Sequence, residues 1–348
     1  MRFFLPGSPL KVYNVDMRGV NQASKIPGLI YELKPGAERM LKMGDHTATY
    51  KINSVGMRDH EYPLVKGNRI FRIVCLGDSV TFGAGVELGQ VYPKVLEKLL
   101  NTKSDEIRYE VLNFGVGGYN TAQEAVALKE KALQYRPDLV LVGFNLNDGS
   151  PTASLNEVLE GRGDKDSGRV PLPGKPWLQN NSYLYGVVAL GGTQLLLRLG
   201  VWKQDLMYGL PAELFETMTE PRQETEVWRR IEEGLQQIVD MSGRSGARVV
   251  LAVFPLQVQM DYDPRRPPMG NLALTDLRRP QERLRRFANG SGIVYVDLLP
   301  SINYQRTKES PLFVNDVTSH PDALGHEIVA EEILRIFVDH KLIPSASR

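Results

Sequence analysis

The sequence predicts an α/β protein in three layers, a five-stranded parallel sheet with helices on both faces. Two observations carry this. Short apolar, β-branched runs alternate with amphipathic helical stretches five times, and chemistry-bearing residues follow the runs directly. Sequential βα units build a parallel sheet covered on both sides, because each right-handed crossover returns a helix to a sheet face.

The first unit opens at Ile70–Leu76, an apolar run closed by Gly77, as expected of a strand buried on both faces. Val95, Leu96, Leu99 and Leu100 give the stretch 92–100 a helical stripe. Tyr109–Phe114 reads as the second strand, Thr121–Tyr135 as the second helix and Leu139–Phe144 as the third strand. After an irregular stretch, Trp228, Ile231, Leu235, Ile238 and Val239 line a helix. Arg248–Phe254 is the fourth strand, Leu277–Phe287 a helix and Ile293–Leu298 the fifth strand. Leu324, Ile328, Val329, Ile333, Ile336 and Phe337 stripe the terminal helix.

Two segments stand outside this alternation. Residues 1–68 read as a small β-rich appendage, with strand-like Ala48–Ile52 between the turn signals Pro35-Gly36 and Asn53-Ser54. Residues 150–224 read as an insertion or cap after the third strand, so that the main domain spans 69–348. Trp177, Tyr183, Leu184 and Tyr185 in the insertion form either its own small core or the wall of a pocket. The uncharged stretch Asn180–Leu197 is interrupted by polar residues and a glycine pair, which argues against a membrane span.

Bulk composition excludes several classes. Of 348 residues, 42% are hydrophobic and 24% charged, enough for a large core. A formal net charge of +1 offers no electrostatic case for nucleic acid or an acidic membrane. The single cysteine, Cys75, reads as a core residue, so neither an intramolecular disulfide nor a cysteine zinc site is expected. The histidines form no His-x-His or His-Glu-x-x-His pattern, so no catalytic metal is expected. Gly115-Val116-Gly117-Gly118 misses the Gly-x-Gly-x-x-Gly spacing, and no dinucleotide cofactor is expected. The apolar start Met1–Gly7 is too short for a secretion signal, which taken literally places the chain in the cytoplasm; an upstream anchor would place it at the cell envelope. Oligomeric state is not written in the residues.

In parallel sheets, chemistry collects at the carboxyl ends of the strands. Gly77-Asp78-Ser79 follows the first strand and presents Ser79 at a sharp turn. A serine there is either an N-cap or a nucleophile, and a nucleophile needs a base and oxyanion donors. Backbone donors are available at the glycines after strand two, and amide donors at Asn145 or Asn147 after strand three. His320, before Pro321, is the candidate base, with Asp316 four residues earlier to orient it. His326, at the start of the terminal helix, reads as a surface histidine.

Gly77-Asp78-Ser79-Val80-Thr81-Phe82-Gly83, Gly118, Asn147-Asp148 and the Asp316-to-His320-Pro321 segment resemble, in order, the blocks of the SGNH (GDSL-like) hydrolase family, over roughly residues 69–340. The resemblance implies a flavodoxin-like α/β/α fold and a cofactor-free esterase, lipase, thioesterase or deacetylase. It implies Ser79 as nucleophile and His320 as base, with an oxyanion hole from the Ser79 and Gly118 N–H groups and the Asn147 amide. Asp78, Tyr119 and Asn145 are then candidate substrate contacts. One departure concerns the acid. The family spaces it three residues before the histidine, where this chain has Val317, so Asp316 stands one residue further away. The expected activity is hydrolysis of a small-molecule or carbohydrate ester through an acyl-enzyme. Two other readings stay open: an O-acyltransferase that hands the acyl group to a carbohydrate or other alcohol, and a non-catalytic acyl- or carbohydrate-binding protein.

Overall fold

The computed structural model describes residues 19–43, 46–103, 106–149, 226–260, 278–307, 310, 312–314 and 320–344. Strands β5 (Ile70–Gly77), β6 (Arg108–Asn113), β7 (Leu139–Phe144), β8 (Arg248–Val253) and β9 (Val294–Asp297) form one parallel sheet in the order β6-β5-β7-β8-β9. Counted within the sheet this is 2-1-3-4-5, the flavodoxin-like order, with a switch point between β5 and β7.

Period-two alternation divides the sheet into two cores. On one face, Val74, Leu76, Val140 and Val142 pack with Leu128 of α3 (Thr121–Glu130) and with Trp228, Ile231 and Leu235 of α4 (Glu226–Arg244). On the other, Ile73, Cys75, Leu139 and Leu141 meet Leu96 of α2 (Tyr92–Thr102) and Val329, Ile333 and Phe337 of α8 (Ala323–Asp339). Cys75 is buried in this second core, and burial pushes its thiol pKa up. No helix among the described residues is long and apolar enough to cross a membrane. The insertion, including Asn180–Leu197 and the aromatics at 177–185, lies outside the described residues.

Two helical stretches depart from expectation. The stretch 121–135 is α3 followed by a 3-10 turn at Ala132–Tyr135, because Pro137 disfavours helical geometry at Arg136, which takes φ 52°. Residues 299–305 form a helix that the pattern did not announce: α7 (Leu299–Gln305), with Pro300 in its first turn and Ile302 in the core. The remaining helices are the one-turn α1 (Ser79–Phe82) and α5 (Gln257–Met260), and α6 (Arg279–Gly290).

The N-terminal segment supplies two antiparallel pairs, β1 (Asn21–Ala23) with β2 (Tyr31–Leu33) and β3 (Glu38–Met43) with β4 (His46–Lys51). Their apolar residues share a third core with Phe82, Ala84, Val116, Tyr119 and Val314 of the α/β unit. Packing therefore runs unbroken past residue 68.

A buried ion pair ties the amino end of β5 to its neighbour. Arg72 Nε donates to Glu110 at 2.6 Å, and its other nitrogens donate to the carbonyls of Pro63, Leu64 and Tyr135. Both side chains are buried, so removing one leaves an uncompensated charge. Glu110→Leu is expected to cost about 3–5 kcal/mol of stability, read from urea unfolding.

Candidate active site

The site starts with a close approach of helix to sheet. After Gly77 the chain turns within one residue into α1. Asp78 is its N-cap and accepts from the Val80 N–H at 2.8 Å. The capping role falls to Asp78, so Ser79 is the first helical residue and its hydroxyl is not spent on the helix.

Three glycines make room for α1. A Cβ on Gly77 or Gly143 would collide with the Thr81 side chain, and one on Gly115 with the backbone of Thr81 and Phe82. Asn113, the last residue of β6, binds the pieces together: its amide donates to Thr81 O at 2.8 Å, and its Oδ1 accepts from Gly115 N–H at 2.9 Å. The sequence marked this segment only as a source of glycines. A buried asparagine ending an apolar strand was the available signal for more.

Half-buried Ser79 meets His320. The Ser79 Oγ and His320 Nε2 atoms are 2.8 Å apart, and Asp78 Oδ2 is 3.4 Å from the same Oγ. His320 is held by backbone pairing on both sides: Val314 N–H donates to His320 O at 2.9 Å and Asp322 N–H to Leu312 O at 3.0 Å. Asp322 then caps α8 by accepting from Gly325 N–H. His320 Nδ1 is buried with no hydrogen-bond partner among the described residues. Burial holds this imidazole down, at about 4. Asp316, the expected orienting acid, lies outside the described residues.

Gly118 sits in the loop after β6 with φ +79°, a left-handed backbone that favours glycine. Tyr119, expected near substrate, is instead buried in the N-terminal core, and its hydroxyl donates to Tyr31 O at 2.7 Å. Its ring fills the joint between the two units because residues 19–52 cover this side of the loop.

The turn after β7, Leu146–Gly149, carries Asn147, whose side chain lies outside the described residues. Asn145 is committed to that turn: its Oδ1 accepts from Leu146 N–H at 2.8 Å, while its N–H donates to Asp148 Oδ2 at 2.9 Å. Asp148 and Glu124 are buried, and burial first, then neighbouring carboxyls, raises both well above the ordinary range. Neither Glu124 oxygen has a hydrogen-bond partner among the described residues.

His326 corrects the surface reading. It is fully buried, stacks on Tyr92 and accepts from the Tyr92 N–H through Nδ1 at 3.3 Å. His326 lies on the side of α8 that faces α2, and burial holds this imidazole down at about 3. Among the described residues, no group of three or more His, Cys, Asp and Glu side chains is arranged to hold a metal.

A half-buried serine thus stands on the first turn of a helix, at the carboxyl edge of a 2-1-3-4-5 sheet and in contact with a histidine. A model of the GDSL-like Lipase/Acylhydrolase family matches residues 75–328, and the chain belongs to that family. No curated protein matches it. Among solved structures it is similar to TesA (14% identity over 78% of this chain and 99% of that one, TM-score 0.44). It is also similar to the acetyl xylan esterase AlAXEase (14%, 76% and 98%, TM-score 0.43) and to a two-domain esterase, CEX, active on acetylated mannans (13%, 80% and 52%, TM-score 0.45). These distant likenesses carry no argument about substrate.

The glycine contacts predict unequal substitutions. Gly115→Ala is expected to destabilise by about 1–3 kcal/mol, because the obstructing atoms are backbone. Gly89→Ala, with nothing within 4 Å of the new carbon, should stay within about 0.5 kcal/mol of wild type. Urea unfolding of the two variants side by side checks the contrast.

Proposed function

We propose that this protein is a serine hydrolase that cleaves carboxylic esters through a covalent acyl-enzyme on Ser79, with His320 as general base. The observation that carries the reading is the 2.8 Å contact between Ser79 Oγ and His320 Nε2. With Nε2 accepting, neutral His320 carries its proton on Nδ1.

In the first step Ser79 Oγ bonds to the ester carbonyl carbon as its proton passes to His320 Nε2. The oxyanion is held by the N–H groups of Ser79 and Gly118 and by the Asn147 amide. Two features support these donors: Ser79 heads α1, where a helix has no internal acceptor for the N–H, and Gly118 has the backbone freedom for close approach. The carbon–alkoxide bond then breaks, and the leaving alcohol takes the proton from His320. Water attacks the acyl-enzyme, giving its proton to His320, and Ser79 recovers it as the acid departs. Asp316, four residues before His320, is the acid assigned to Nδ1, since Asp322, two residues after it, is spent on capping α8. Asp78 acts as the cap that sets the Ser79 rotamer rather than as a second nucleophile.

The test is labelling by a serine-directed phosphonate, with hydrolysis of a short-chain p-nitrophenyl ester alongside. Wild type should be labelled at Ser79 and be active. Ser79→Ala should lose both, and Asn147→Ala should lose about a hundredfold or more in kcat. Labelling that survives in Ser79→Ala would remove the proposed nucleophile. An unlabelled wild type would favour a non-catalytic binder.

A second prediction concerns pH. The base works only when neutral, and burial holds His320 at about 4. kcat/KM should therefore stay level from neutrality down past pH 6 and fall only as pH approaches about 4. A limb at 6.5 or above would instead require an anionic carboxylate at Nδ1, which Asp316→Asn would remove. Stability changes over the same range. The unfolded chain protonates His320 and His326 near 6.5 while the folded chain resists, so the stability these two groups contribute is full above that pH and declines below it. Tryptophan fluorescence at each pH separates inactivation from unfolding.

A further inference from the structure

The N-terminal segment makes its most specific contacts with the loops that carry the site. Arg58 is fully buried. Its Nη1 donates to Phe82 O at 3.0 Å and Gly83 O at 2.5 Å, and its Nη2 to Val86 O at 2.6 Å. These carbonyls lie at and just past the carboxyl end of α1, which a four-residue helix leaves without internal donors. The guanidinium lies over the rings of Tyr50, at 4.3 Å, and Phe82, at 5.1 Å, which are tilted against one another. Tyr50 Oη in turn accepts from Gly85 N–H at 2.7 Å. A buried cation and a tyrosine from one unit thus hold residues 82–86, the continuation of the turn that presents Ser79.

The loop after β6 is held in the same way. Tyr31 Oη donates to Gly117 O at 2.9 Å, and Tyr119 Oη donates back to Tyr31 O at 2.7 Å. Gly118 lies between these bonds, and a Cβ there would come within 2.8 Å of the Tyr31 hydroxyl. Val314, whose N–H binds His320 O, belongs to the same shared core. One small unit therefore touches the nucleophile turn, the Gly118 loop and the histidine segment.

We propose that residues 19–62 are a positioning unit for the active site, in which Arg58 and Tyr50 fix the Ser79 turn and Tyr31 fixes the Gly118 oxyanion donor. The inference rests on the serine hydrolase reading above. Charge-assisted bonds to carbonyls are stronger and more directional than apolar packing, so they set a position where packing alone sets only a neighbourhood. Donors aimed at an oxyanion act in the transition state, so a small displacement lowers turnover more than substrate binding.

The experiment compares full-length wild type, Tyr31→Phe, Arg58→Lys, Arg58→Met and Leu284→Ala. It reads phosphonate labelling of Ser79, kcat and KM for a p-nitrophenyl ester, and Tm. Tyr31→Phe removes one hydroxyl and is expected to fold. It should lower the labelling rate and kcat about tenfold while KM changes less than twofold. Arg58→Met should lose more, and Arg58→Lys, which keeps the charge without the fork, should recover part of that loss. Leu284→Ala hollows the core under β9 and should lower Tm while leaving labelling and kcat at 25 °C intact. Wild-type labelling and kcat in both Tyr31→Phe and Arg58→Met, with only Tm reduced, would overturn the proposal. An unlabelled, inactive wild type would instead overturn the serine hydrolase reading beneath it.

Discussion

The close docking of α1 against the strand ends is the constraint on which the rest of the site depends. Thr81 sits where three stretches of backbone converge, with Gly77, Gly115 and Gly143 around it and its hydroxyl 3.0 Å from that of Tyr92. A single methyl at any of the three glycines would push the helix off the sheet. The glycines allow this approach and the Asn113 amide, donating to Thr81 O, holds the helix there, so Ser79 keeps a fixed relation to the strand ends. The switch point between β5 and β7 supplies the opening, since neighbouring crossovers leave it in opposite directions.

Closure of the site from the other side is a long-range matter. His320 is 241 residues from Ser79, and its place comes from two short backbone pairings and the capped start of α8. Pro321 favours extended geometry at His320, which suits the pairing with Val314. The α8 helix is anchored in turn by its apolar stripe against β5 and β7 and by buried His326 beneath α2. The serine and the histidine therefore both rest on one core, so the geometry of the pair should persist as long as that core is packed.

The sheet was legible in the residues because its strands are buried on both faces and read as continuous apolar runs between glycine and proline signals. The serine and the glycine loop were legible because each stands just after a strand, where the topology concentrates chemistry, and the histidine because it precedes Pro321 and the terminal helix. What was not legible is instructive. Arg58 carried no signal along the chain, because nothing local says that its partners include carbonyls 24 to 28 residues away. Tyr119 and His326 were misplaced for the same reason: neighbouring residues set the backbone of each, but the elements that bury them, β2 and α2, come from elsewhere in the chain. Pattern along the chain reports which face of an element is apolar, and it is silent on which distant unit covers that face.

Burial also sets the charge balance of the site. His320 is driven toward the neutral imidazole, the form that can accept the serine proton. Asp148 and Glu124 are driven toward the neutral carboxyl chiefly by desolvation, then by Asp78 at Glu124 and by Glu124 and Asp78 at Asp148. Ionised carboxylates beneath the strand ends would oppose a negative charge growing on a bound carbonyl oxygen, whereas neutral ones do not. On the proposed acyl-enzyme reading, the same low-dielectric surroundings that weaken His320 as a base also remove an electrostatic obstacle to the oxyanion. Under the proposed mechanism the position of the N–H donors then decides how far the oxyanion is stabilised.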